Sequence, residues 1–283
     1  MNNDNDTNNV SQLLKQATLS LQHQIEARLE AEILLAFCIQ KTRVFLHTWP
    51  EHPVTPAQLV EFRQFVARRR KGEPIAYILG HQEFWSLNLD VNPATLVPRS
   101  ETELLVEQSL LHIPKDSNFA IVDLGTGSGA IALAIATERP TCTVTATDHC
   151  TEALTVAKKN AAKHGITNVR FIQSDWFGAL ESKVFDIIVT NPPYIAPDDP
   201  HLNQGDLPYE PDTALASSDN GLADIKRIIG ESRNHLKPGG WILFEHGYNQ
   251  AQEVAILLKQ HAYQSIHTEL DYAGHPRVTM AQL

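Results

Sequence analysis

Between Val10 and about Gly72 the apolar residues recur at helical spacing. Leu13, Leu14, Ala17 and Leu21 form one set, Leu29, Ile33, Leu34, Phe37 and Cys38 a second, and Leu59, Phe62, Phe65 and Val66 a third. Thr55 before Pro56 predicts the start of the last of these helices, because threonine caps well and proline suits the first helical position. From Trp85 to Val91 the pattern alternates, which predicts a strand and half of a hairpin. Ser100, with Glu103 at the capping-box position, predicts the start of a helix through Leu104, Leu105 and Val106.

After Phe119 short apolar runs alternate with helical stretches. Strands are predicted at Ala120–Leu124, Thr143–Thr147, Asn168–Gln173, Phe185–Val189 and Trp241–Glu245. Helices are predicted from Ala130, over Ala153–His164, over Asp224–Leu236 and over Gln250–His261, with a last strand pair at His267–Leu270 and Arg277–Met280. The alternation predicts an α/β fold with a mostly parallel sheet, helices on both faces and an antiparallel hairpin at the end. The chain thus reads as a disordered tail (1–9), an all-α domain (10–80), a linker with a β-hairpin (81–100) and an α/β domain (101–283).

Two loops of the α/β part carry candidate chemistry. The first, Gly125-Thr126-Gly127-Ser128-Gly129, stands between a strand and a helix. Glycines there let a nucleotide-type ligand approach the backbone, next to the free N–H groups of a helix start. Asp148 ends the next strand, about 20 residues on, where a carboxylate accepts from ribose hydroxyls. Asp175 and Trp176 end the third strand, suited to an adenine amino group and to the face of its ring. Which nucleoside cofactor binds stays open, because Gly125, Gly127 and Ala130 also fit the dinucleotide pattern.

The second loop is Asn191-Pro192-Pro193-Tyr194, at the carboxyl end of the fourth strand. In an open α/β sheet ligands bind along that edge. Asn191 brings a neutral carbonyl acceptor, and Pro192 a carbonyl on a backbone of fixed φ. Each proline also restricts the residue before it. Two stiffly held oxygens suit a planar –NH2 group, and Tyr194 can pack on the flat group that carries it. The same residues also occur in ordinary strand-end turns.

Composition narrows the field. Residues 1–85 balance basic and acidic side chains, so the formal charge of −10 falls on the remainder. An acidic second half is a poor partner for a phosphate backbone. No apolar run approaches a membrane span, and the polar start, Met1 to Asn9, has no secretory or transit character. Cys38, Cys142 and Cys150 are odd in number and lack metal-type spacing, which suits a reduced cytoplasm. The histidines show no metal spacing, and no nucleophile elbow, Walker loop or repeat appears. The Arg68-Arg69-Arg70-Lys71 cluster reads as a solvated helix end. The Pro- and Asp-rich stretch from Ile195 to Ala216 is long enough for a functional loop.

Asp123 to Gly129, Asp148, Ser174-Asp175-Trp176-Phe177 and Asn191 to Tyr194 together resemble class I S-adenosylmethionine-dependent methyltransferases. More narrowly, the chain resembles the HemK/PrmC type, the protein-glutamine methyltransferases of peptide chain release factors. Pro98 to Glu103, Asp199 to Leu202, Gln204 to Asp206, Phe244 to Gly247 and Arg277 to Thr279 extend that match. Ser100 departs from it, since the family usually has proline there.

The resemblance implies a Rossmann-like domain with a seven-stranded sheet behind a helical, factor-docking N-terminal domain. It implies S-adenosyl-L-methionine as methyl donor, with S-adenosyl-L-homocysteine as product. The substrate it implies is the glutamine of the Gly-Gly-Gln motif in class 1 release factors. By residue, Gly125, Thr126, Gly127, Ser128 and Gly129 would cradle the methionine part of the cofactor, Asp148 its ribose, and Asp175 and Trp176 its adenine. Asn191 would border both ligands and, with the Pro192 carbonyl, hold the glutamine amide against Pro193 and Tyr194. No metal, nucleic acid or membrane enters this reading, and the expected state is a monomer. Two other readings use the same residues: a nucleic-acid amino methyltransferase, and a non-catalytic adaptor that binds cofactor and release factors.

Overall fold

A computed structural model describes residues 8–283. The chain forms two compact units that meet in sequence at Gly80 and His81. The first unit is helical: α1 (Val10–Ser20), α2 (Ala27–Cys38), α3 (Arg43–Thr48), α4 (Pro56–Arg70) and α5 (Ile75–Leu79). Its core joins Leu13 and Leu14 to Leu34, Leu35, Leu59 and Phe62. Thr55 caps α4 in a reciprocal capping box with Gln58, behind Pro56.

Most of the expected tail, residues 1–7, lies outside the described residues. Asn9 caps α1 by accepting from the Gln12 N–H, and the Asn8 carbonyl accepts from Val54 N–H at 2.9 Å. The basic cluster is not simply a solvated helix end. Arg69 is buried and donates to both carboxylate oxygens of Glu30, at 2.9 and 2.8 Å, while Arg68 pairs with Glu73. Those two cations tie down the turn after α4.

The second unit opens with a hairpin, β1 (His81–Phe84) and β2 (Leu87–Asp90). The alternation places Trp85 and Ser86 in a strand, but both have positive φ and form the tight turn. Two carboxylates hold it: Trp85 N–H donates to Glu103 at 2.8 Å and Ser86 N–H to Glu83 at 2.6 Å. Glu103 is therefore occupied by the hairpin, and Ser100 does not cap the next helix. Ser100–Thr102 is a 3-10 turn that runs into α6 (Glu103–His112).

The rest is β3 (Ala120–Leu124), α7 (Ala130–Glu138), β4 (Thr143–Asp148), α8 (Thr151–Lys163), β5 (Val169–Gln173) and β6 (Phe185–Thr190). Then come α9 (Asp212–Leu215), the distorted turn α10 (Ser218–Gly221), α11 (Ala223–Ser232), β7 (Leu236–Glu245), α12 (Ala251–Gln260), β8 (Gln264–Leu270) and β9 (Pro276–Gln282). The helix predicted to run to Leu236 ends at Ser232. Leu236 begins β7, which carries Pro238-Gly239-Gly240 inside it beside a register irregularity against β6. The Ile195–Ala216 stretch is folded into two 3-10 turns and α9, and its ends pair with each other.

The seven strands form one sheet in the order β5-β4-β3-β6-β7-β9-β8. The first five are parallel, and β9 lies antiparallel to both β7 and β8. Apolar side chains leave both faces: Ile121, Ile187 and Leu243 on one, Val122, Ile188 and Ile242 on the other. The chain leaves β3 toward β4 and β5, then returns to lay β6 on its other edge. That reversal is the topological switch point, where a crevice opens at the strands' carboxyl ends. No helix among the described residues is long and apolar enough to cross a membrane.

Candidate active site

All the loops singled out from the sequence leave the carboxyl edge of this sheet. A cavity of about 430 Å³ lies there. Gly125, Gly127, Asp148, Asp175 and Trp176 line it, and so do Asn191 and Pro193. The other members of the glycine loop, Thr126, Ser128 and Gly129, do not line it, and neither do Pro192 and Tyr194.

The glycine loop folds back on β4. Gly125 N–H and Thr126 N–H both donate to the Thr147 carbonyl, at 2.9 and 2.8 Å. Gly125 has φ +75°, and a Cβ there would meet the Trp176 ring at 3.4 Å, narrowing the cavity. Asp148 is buried, its Oδ2 accepting from Gly127 N–H at 2.8 Å and its Oδ1 from Cys150 N–H at 2.9 Å. Each carboxylate oxygen keeps a further lone pair for a ligand.

Beneath the loop, Asp123 is fully buried. Its Oδ2 accepts from the Thr126 hydroxyl at 2.6 Å and its Oδ1 has no hydrogen-bond partner by distance and angle among the described residues. Burial pushes its pKa up to about 7. Sequence reasoning placed Asp123 in the motif without a role of its own.

The third wall is Asp175 and Trp176. The Trp176 ring is fixed by its Nε1–H, which donates to Asp224 at 3.1 Å, and Asp224 in turn accepts from the Ser217 hydroxyl at 2.6 Å. Arg227 donates to both oxygens of Asp175, at 2.8 and 2.9 Å, on the exposed rim. Asp224 and Arg227 both line the cavity and were missed from the sequence. The spacing of three on one helix face was the available signal, since it carries both to the same edge.

The fourth wall is the turn after β6. Asn191 Nδ2 donates to the Thr102 hydroxyl oxygen at 3.3 Å. No hydrogen bond among the described residues ends on Asn191 Oδ1. The Tyr194 hydroxyl donates to Glu245 Oε1 at 3.3 Å, and burial pushes its pKa well above the ordinary phenol value. The Tyr194 carbonyl accepts from Gln250 at 3.0 Å. Gly221, with φ +83°, passes directly beneath: a Cβ there would lie 2.0 Å from that carbonyl oxygen.

The loop's neighbours come from far along the chain. Glu210 is buried and accepts from Arg99 at 2.6 Å, and burial raises its pKa. That pair joins the segment before α6 to the loop before α9. His246 is also buried, bonded to Thr279 at 2.7 Å. His149 is exposed beside Asp148.

Residues 12–80 match the family model described as the PrmC N-terminal domain, and residues 115–274 match one described as a methyltransferase domain. The release factor glutamine methyltransferase of Salmonella typhimurium is 47% identical over 266 residues, covering 94% of this chain and 96% of that one. That of Shewanella oneidensis is 46% identical over 256 residues, covering 90% and 89%. Among solved structures, a methyltransferase from Pyrococcus furiosus superposes with a TM-score of 0.53 at 20% identity, covering 78% of this chain and 96% of that one, a likeness of fold. With such identity over nearly its full length, the chain belongs to the release factor glutamine methyltransferase family.

Proposed function

We propose that this protein transfers a methyl group from S-adenosyl-L-methionine to the side-chain amide nitrogen of a glutamine in a peptide chain release factor. The Gly-Gly-Gln motif is the site we assign on the factor. The observation that carries the reading is Asn191: its Nδ2 is taken up by Thr102, and its Oδ1 is left as an acceptor at a cavity at the sheet's switch point.

The residues present fit the cofactor. The cavity falls within the roughly 300–1,000 Å³ of small-molecule sites. Its floor is backbone without side chains at Gly125 and Gly127, next to a buried carboxylate with open lone pairs. When bound, the cofactor supplies a methyl group on a positively charged sulfur. Gly125 to Gly129 would hold its methionine part and Asp148 its ribose hydroxyls. Trp176 would wall the adenine, and Asp175 would accept from its amino group where Arg227 leaves a lone pair open.

Asn191 Oδ1 and the Pro192 carbonyl would each accept one hydrogen of the substrate –NH2. Tyr194 would pack against the amide plane. Two acceptors on the hydrogens orient the nitrogen lone pair for in-line attack and stabilise the positive charge that builds on nitrogen. Positioning matters here because an amide lone pair is delocalised and weakly nucleophilic. The nitrogen gains the methyl and loses one proton to solvent. The helical unit would contact the factor, a reading supported by its family match over residues 12–80.

The test is peptide mass spectrometry of an unmodified release factor incubated with the protein and S-adenosyl-L-methionine. One added methyl on the Gly-Gly-Gln glutamine is expected. An unmodified factor in the presence of demonstrated cofactor binding would overturn the substrate.

A further inference from the structure

Behind the acceptor turn lies a buried polar chain that the proposed mechanism does not use. Glu245 ends β7 and is 2% exposed, and Thr102 precedes α6 and is 4% exposed. Tyr194 donates to Glu245 Oε1, while Oε2 has no hydrogen-bond partner among the described residues. A buried carboxylate oxygen without a donor is costly and needs explaining. The Thr102 hydroxyl acts on this carboxylate, although no hydrogen bond joins the two in the structure. Burial raises the Glu245 pKa, and the Thr102 hydroxyl, the Arg277 charge and the Tyr194 hydroxyl counter it.

We propose that Glu245 and Thr102 are positioning residues that set which way the Asn191 amide faces. In its ionised form the Glu245 carboxylate can only accept. It therefore takes the hydrogen of the Thr102 hydroxyl, which leaves the Thr102 oxygen as an acceptor for Asn191 Nδ2. That contact turns Asn191 Oδ1 toward the cavity. The same carboxylate takes the Tyr194 hydroxyl hydrogen, so one buried group orders both ends of the Asn191–Tyr194 turn. Without it, the amide could rotate and present –NH2 to a substrate –NH2, donor against donor. This inference rests on the proposed amide-methylating reading and adds to it the residues that orient the acceptor.

The experiment compares wild type, Thr102→Val, Thr102→Ser and Glu245→Gln. Methyl transfer to an unmodified release factor, calorimetric binding of S-adenosyl-L-methionine and thermal unfolding are each measured. Valine keeps the shape of threonine and removes the acceptor. Thr102→Val is expected to lower kcat about tenfold or more and to leave cofactor affinity within about twofold, since misorientation acts on turnover. Thr102→Ser restores the hydroxyl and is expected to recover kcat to within about threefold of wild type. Glu245→Gln places a donor where two acceptors are needed, and a loss of kcat matching that of Thr102→Val is expected. Wild-type kcat in Thr102→Val, or a loss that Thr102→Ser does not repair, overturns the proposal. If Thr102→Val does not fold, full activity in a folded Glu245→Gln overturns it alone. If the wild-type protein transfers no methyl to the factor, the functional reading itself fails and takes this inference with it.

Discussion

Two walls of the cavity are held by partners at very different distances along the chain. On the cofactor side, Asp148 accepts from Gly127 and Cys150, and Gly125 and Thr126 donate to Thr147. Those contacts lie at the ends of two adjacent strands, and every donor in them is a backbone N–H. On the amide side, Asn191 leans on Thr102, 89 residues earlier, and Tyr194 on Glu245, 51 residues later. The glycine-loop wall is thus a property of β3, β4 and the loop between β3 and α7, whereas Trp176 and Asp175 lean on Asp224 and Arg227 further along the chain. The wall proposed to hold the amide depends on β6, β7 and the turn before α6 being in register. Affinity for the cofactor should respond to local changes, and turnover to distant ones.

A large effect is expected on the local wall. Asp148→Ala removes both carboxylate acceptors and is expected to weaken S-adenosyl-L-methionine binding about a hundredfold, or about 2.7 kcal/mol, by calorimetric titration. Affinity within a few fold of wild type would show that the backbone alone builds this wall.

Gly221→Ala probes the distant wall. Its Cβ would collide with the Tyr194 carbonyl, at a residue whose φ is +83°. We expect a stability loss of about 1–3 kcal/mol and about a tenfold drop in turnover, with cofactor affinity little changed. Weakened cofactor binding of the same size as the turnover loss would erase the contrast between the walls.

Asp123→Asn tests the support beneath the glycine loop through pH. The folded protein holds the Asp123 proton up to about pH 7, whereas the unfolded chain releases it near its ordinary value of about 3.9. The folded state therefore binds more protons in that window. Stability contributed by this group is present at low pH and falls as pH rises from about 4 to about 7. Asparagine cannot titrate, so melting curves of Asp123→Asn should fall less steeply across that window. Parallel curves for variant and wild type would assign the slope to other groups.

The smallest effect is expected at the rim. Arg227 and Asp175 are paired but 43% and 67% exposed, and such pairs contribute about 0–1 kcal/mol. Arg227→Ala should change cofactor affinity less than about fivefold, and added salt should shrink the difference.

The same contrast explains what was legible in the sequence. A strand, a glycine loop and a helix follow one another directly, and so do β6 and Asn191 to Tyr194. Periodicity and residue type suffice for such continuous segments. All seven strands of the sheet were legible for that reason, and so was the Thr55 cap. Misread features had distant partners. The Trp85-Ser86 turn depends partly on Glu103, 18 residues on, and taking Glu103 for the hairpin removed it from the helix cap. Arg69 looked solvated until Glu30, 39 residues earlier, paired with it. Thr102 and Glu245 carried no local sign of facing Asn191 and Tyr194, because only the assembled sheet brings them together.

We propose that Asn191 acts on the substrate amide and not merely on the shape of the cavity. The most direct test is the rate of methyl transfer by Asn191→Ala to an unmodified release factor, with cofactor affinity measured alongside. Losing one such acceptor is expected to cost about 3 kcal/mol, so transfer should slow about a hundredfold while cofactor binding is retained. Transfer at close to the wild-type rate would contradict the account.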